Sequence, residues 1–373
     1  MTRPLNVPGL KSSLLLSVLL GVVWAASQIV GAQERPQYSA DGIEVPEAKS
    51  DEPRIEWSKS RGLEHLDDAA LAWGSSRKCV SCHTNGTYLL IRPIMTPSVG
   101  APDRKIRDFF VRQLEEIRRL DPEKAKTQGT RAAQVIYIAA GLAQWDRYVA
   151  KRLSVETEEA IDLMFEMQGE SGSWHNLDCW PPFESHPYSL AQTAAMALAS
   201  APGWLQKQDG GGTHAEAVSR LRDFLKTSEL PHDYARVLKL WSALQLDGIL
   251  TESEKRAFVK MILDKQQADG GWTMRTFATP EQWGQGSRAS KLRDEPAEEQ
   301  SNSDGHMTGL VLWVLTESGL GIENEQIRRG IAWLKDNQRE SGRWWTRSLN
   351  TDQSHYITYS GTAYAMAVLS RFE

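Results

Sequence analysis

Gln338-Arg339-Glu340-Ser341-Gly342-Arg343-Trp344 carries a Gln, Gly, Trp spacing that the chain uses three times. It returns as Gln168-Gly169-Glu170-Ser171-Gly172-Ser173-Trp174 and as Gln266-Gln267-Ala268-Asp269-Gly270-Gly271-Trp272. Each copy follows an apolar, helix-compatible segment: Ile161 to Met167, Phe258 to Leu263, and Ile331 to Leu334. The glycines permit a tight helix exit, the tryptophan can cover the apolar end of a helix, and the glutamine can hydrogen-bond to turn backbone. One such turn is ordinary on a solvent-facing surface. Three mark a repeated building unit.

Outward from these turns, helical patterning divides the chain into six pairs of elements. The first members are expected at about 59–72, 106–120, 155–168, 214–227, 252–267 and 324–338, their partners at about 83–95, 130–148, 186–200, 232–246, 305–319 and 355–370. Phe109, Phe110, Leu114, Ile117 and Leu120 fall at three- and four-residue steps, as do Leu221, Phe224 and Leu225, and give the first members one apolar face. The partners are apolar around most of their circumference, as in Leu310, Val311, Leu312, Val314 and Leu315, which suits an inner ring covered by an outer one. The fold class read from this is all-α, a single ring of about six helix pairs over residues 59–373.

Arg329-Gly330-Ile331-Ala332-Trp333-Leu334, with Gln338 and Gly342-Arg343-Trp344 after it, resembles the Gln-Trp repeat of squalene and hopene cyclases. The repeat order resembles the alpha/alpha toroid those enzymes share with protein prenyltransferase beta subunits. That resemblance implies the toroid and stops short of the chemistry. The Asp-x-Asp-Asp motif with which triterpene cyclases protonate squalene does not occur here, and Asp178-Cys179 lacks the spacing of a prenyltransferase zinc site.

Cys79-Val80-Ser81-Cys82-His83 is the strongest chemical motif. Two thiols three positions apart and a following imidazole can hold a covalent haem c through thioethers at Cys79 and Cys82, with His83 on the iron. A metal without haem, a disulfide and free thiols are the other readings. The residues Arg3 to Ala32 have the form of an export signal, cationic then apolar then small, or of an uncleaved anchor, so the protein is expected in the periplasm or otherwise exported. Residues 33–58, rich in Pro, Glu, Asp and Ser, read as an arm that is flexible or orders on contact. No other segment can span a membrane, and membrane association is expected only through the N-terminus.

His83, His186, His232, His306 and His355 all fall near the start of an expected inner helix, at intervals that fit a repeat of about 50 residues with one position skipped and one insertion. They would gather at one end of the ring, as helix caps or as a polar pocket beside the haem, and one of the last four, or water, would close the iron's coordination. Asp304-Gly305-His306 is the best catalytic candidate, His306 relaying a proton and Asp304 orienting it or capping the helix, with His355, Tyr356 and Tyr359 as a second polar edge. Cys179 reads as a ligand, a nucleophile or a buried thiol. The segment from Phe277 to Ser303 reads as a lid, a docking loop or a passive surface loop.

Fourteen tryptophans suit an apolar organic substrate, isoprenoid-like in the line of the resemblance, as well as plain packing. A net charge of −5 drawn from both signs gives no argument for nucleic acid. The function read from the sequence is therefore a periplasmic c-type haem oxidoreductase with an aromatic-lined pocket, served by haem-attachment machinery and a redox partner. The alternatives are a monohaem electron-transfer cytochrome and a non-catalytic toroidal binding protein.

Overall fold

The structure, a computed structural model, describes residues 36–176, 181–183 and 186–373. The expected export segment 1–32 and Cys179 lie outside the described residues. Among the described residues no helix is long and apolar enough to cross a membrane.

Six helices pack side by side in a closed ring: Asn85–Ile91, Arg131–Trp145, Pro187–Ser200, Asp233–Gln245, Gly305–Glu317 and Ile357–Arg371, the last returning to the first. A second set lies outside them: Lys59–Arg77, Arg104–Arg118, Val155–Glu166, Ala215–Thr227, Glu252–Asp264 and Glu325–Asp336. This is the α/α toroid of six helix pairs that the pattern called for. The inner helices are buried nearly all round, every residue from Ala132 to Trp145 and from Gly305 to Leu315 being enclosed. Outer helices bury one stripe, such as Ile106, Phe110, Leu114 and Ile117.

The three Gln-Trp turns do the same work three times. Each indole Nε1 donates to a carbonyl ten residues back, in the last turn of the outer helix: Trp174 to Met164 (2.7 Å), Trp272 to Ile262 (2.8 Å) and Trp344 to Leu334 (2.7 Å). Such carbonyls lack the donor four residues on that the helix interior supplies, so the tryptophan covers the helix end and adds a partner there, beside the cap N–H of Lys265 on Ile262 and of Asn337 on Leu334. Each glutamine amide donates across to the start of the next outer helix: Gln168 to the Ala217 carbonyl (3.1 Å), Gln266 to Gln326 (2.8 Å) and Gln338 to Ser58 (3.0 Å). The third turn reaches the first outer helix and so closes the ring, with Ser58 N donating back to Gln338 Oε1 at 2.7 Å.

Residues 36–58 pack against that seam. Pro36–Ala40 and Ile43–Pro46 form an antiparallel hairpin, Ile55 N donates to the Gln338 carbonyl (2.9 Å), and Arg343 pairs with Glu52 (3.0 Å) where both are nearly enclosed. The 277–303 segment carries three short helices, Pro280–Trp283, Ser287–Arg293 and Ala297–Ser301. Glu295 fixes it from within: its carboxylate receives Arg275 on both oxygens (2.8 and 3.0 Å) and pairs with Lys291 (3.2 Å) and Arg347 (3.6 Å).

Candidate functional site

The loop between the first outer helix and its inner partner is tied to itself. Asn85 Oδ1 accepts from Ser81 N (2.8 Å) while its Nδ2 donates to the Cys79 carbonyl (3.1 Å), and Thr87 Oγ1 donates to the Cys82 carbonyl. Gly86 has its backbone against Ser81, where a Cβ would sit 2.3 Å from the Ser81 carbonyl oxygen. This tight loop turns Cys79, Val80, Ser81, Cys82 and His83 toward a cavity of about 450 Å³. Trp73, Phe183, Tyr356 and Ile357 supply the rest of its apolar wall, and hydroxyl and amide side chains from Thr130, Gln134 and the 348–354 segment supply the polar part.

These residues do not gather as a haem site, and the haem assignment is corrected. Among the described residues no group of three or more His, Cys, Asp and Glu side chains is placed to hold a metal ion. The His83 ring is packed instead, stacked on Tyr356 at 4.9 Å and against the Trp73 edge at 4.8 Å, with Nδ1 bonded to Thr84 Oγ1 at 2.7 Å. Cys79 and Cys82 are not joined in a disulfide, and burial pushes the Cys79 thiol above its ordinary pKa. The histidines expected as second iron ligands are engaged at their own helix starts. His186 and His232 each accept a backbone N–H as helix caps, from Tyr188 (3.1 Å) and Ala235 (3.0 Å), and His355 Nδ1 accepts from Ser348 N (3.1 Å). The iron on His83, the c-type oxidoreductase and electron-transfer readings, the redox partner and the attachment machinery fall with the haem.

His306 lies fully enclosed in the ring. It is bonded to Tyr234 Oη through Nε2 (3.1 Å) and to Ser360 Oγ through Nδ1 (2.8 Å), and Phe183 and Tyr364 meet it edge-on. Asp304 caps its helix, one oxygen accepting from Met307 N and the other from Met274 N, both at 2.8 Å. Tyr359 Oη donates to the Leu66 carbonyl (2.8 Å). Thus Asp304 and His306 sit at one helix start, while His355 and Tyr359 are held by separate partners, and none of the four lines the cavity. Phe183 touches both the cavity and His306, and Tyr234 continues the aromatic belt to His232 and Trp283. The cavity wall at Gln134, Asn350 and Gln353 was not anticipated from sequence.

Burial holds His306 at a pKa of about 3 and His232 and His355 at about 4. The native state therefore stays neutral where the unfolded chain takes up protons, so these groups make stability fall as pH drops from about 6.5 toward their folded values. For His306 alone the loss between pH 7 and pH 5 is about 2 kcal/mol. Urea unfolding of His306→Asn should show a pH 7 to pH 5 difference smaller than that of the parent by about this amount. Equal differences would refute the assignment.

No protein-family model matches the chain, and no curated protein sequence matches it. Among solved structures, a single-residue variant of the type II terpene cyclase MstE from Scytonema, in complex with its substrate geranylgeranyl dihydroxybenzoate, aligns at 12% identity over 84% of this chain and 99% of that one, with a TM-score of 0.46.

Proposed function

We propose that the protein is a toroidal binding protein for an apolar organic molecule, held in the cavity between the Cys79–His83 loop and the 348–357 segment. The observation that carries this reading is the cavity itself: about 450 Å³, walled by Trp73, Val80, Phe183, Tyr356 and Ile357. A space of that size and lining matches the usual form of a small-molecule site. Ordered aromatic walls also limit the entropy lost on binding. The export-type residues Arg3 to Ala32 support placing this activity outside the cytoplasm.

Titration with the neutral apolar dye Nile red should give one saturable site per chain with enhanced emission. Val80→Phe, which fills the cavity from its wall, should weaken binding about tenfold or more while costing no more than about 3 kcal/mol of stability. Unchanged dye affinity in a folded Val80→Phe protein would sink the reading.

A further inference from the structure

Seventeen described residues line the cavity, and none is Asp, Glu, Lys or Arg. The chain as a whole is 24% charged. The neighbouring cleft of about 340 Å³ shows the contrast, being lined by Arg275, Arg339, Arg347, Glu298 and Glu299 among others. The one imidazole among the described lining residues, His83, is kept neutral by burial at a pKa of about 3. Arg77 and Arg131 act on Cys79 from outside the lining, Arg77 lying over the Trp73 ring and Arg131 bonded to Gln134 Oε1.

Polar groups are nevertheless concentrated on one part of the wall. Ser348, Asn350, Thr351, Gln353 and Ser354 come from a single segment, and Thr130 and Gln134 stand on the start of an inner helix. The Asn350 amide has a fixed orientation, because its Nδ2 donates to the Pro181 carbonyl (3.1 Å), which can only accept. Its Oδ1 has no hydrogen-bond partner among the described residues. A hydroxyl, carbonyl or amide group can exchange its water for such a wall. An ion entering it would lose its hydration and meet no counter-charge among the described lining residues.

We infer that the cavity selects uncharged ligands, an apolar body with a hydroxyl, carbonyl or amide head, and rejects carboxylates, phosphates and ammonium groups. This rests on the binding reading above and names its ligand class. The cations outside the lining rank the two signs: an anionic head is penalised less than a cationic one.

Geraniol, geranic acid and geranylamine share one ten-carbon body and at pH 8 carry a neutral, an anionic and a cationic head. Calorimetric titration and Nile red displacement should place geraniol tightest, the acid weaker by about thirtyfold or more, and the amine weakest. Gln134→Lys, which puts a cation in the wall, should bring the acid to or above geraniol in the displacement ranking. Binding of either charged compound as tightly as geraniol to the unaltered protein would overturn the selectivity while leaving the cavity a binding site. Failure of all three, and of the hydrocarbon myrcene, to displace the dye would overturn the binding reading and the selectivity with it.

Discussion

Gly342→Ala is expected to cost at least about 4 kcal/mol of folding stability, while Gly248→Ala costs about 1–2 kcal/mol. The two glycines have nearly the same backbone, φ +86° and +83°, so the penalty of placing an L side chain in the left-handed region is common to both. They differ in what the new methyl group meets. At Gly248 there is open space, whereas at Gly342 the Cβ would stand 2.2 Å from the Arg61 carbonyl oxygen and 2.5 Å from its carbon. Arg61 belongs to the first outer helix and Gly342 to the last Gln-Trp turn, so relief of that clash must open the seam that Gln338 and Ser58 close. Gly172 and Gly270 press on Arg220 and Arg329 in the same way, which shows the contact to be a property of the repeat. Urea unfolding of the two variants decides the matter. Equal losses would mean that backbone conformation alone, not the fit between turn and neighbouring helix, explains the glycine.

The helix pairs were legible because their apolar faces recur at helical steps, whereas the third turn's closure of the ring through Gln338 and Ser58 is a contact across 280 residues that the spacing does not display. Where period fails, legibility fails. Ser287–Arg293 and Ala297–Ser301 have little apolar period, and what orders them is Glu295, whose partners Arg275 and Arg347 lie 20 and 52 residues away. Ser348 to Ser354 likewise has no apolar step, yet it forms much of the cavity wall. The haem reading took five residues as a site, although a motif that short is a local pattern. Asn85 and Thr84, immediately after it, use their polar groups to close the loop and hold the imidazole, a bonding pattern that the linear order does not display.

Glu295→Leu is expected to destabilise the protein by about 3–5 kcal/mol and to release the 277–303 segment. The Glu295 side chain is wholly enclosed, and it is the shared anion for Arg275, Lys291 and Arg347. Without it the one ion-pair partner left to them among the described residues is Asp352, itself half exposed, which pairs with Lys291 (3.3 Å) and Arg347 (2.9 Å) but not with Arg275. Three enclosed or partly enclosed cations with one solvent-facing carboxylate repel one another, and the loss is screened little by salt because the missing charge was buried. The effect should reach the cavity. Lys291 Nζ donates to the Ser348 carbonyl (3.1 Å) and Arg275 Nη1 to the Arg347 carbonyl (3.4 Å), so the carboxylate orients the cations that hold the start of the wall segment. Hydrogen exchange should therefore rise in both 277–303 and 347–357, and Nile red affinity should fall along with stability. Arg275→Met added to Glu295→Leu removes one uncompensated cation and should recover part of the loss, giving a coupling energy of about 1–3 kcal/mol in the double-mutant cycle. Additive losses, with exchange unchanged in 347–357, would show that Glu295 fixes the insertion alone and that the cavity wall stands without it.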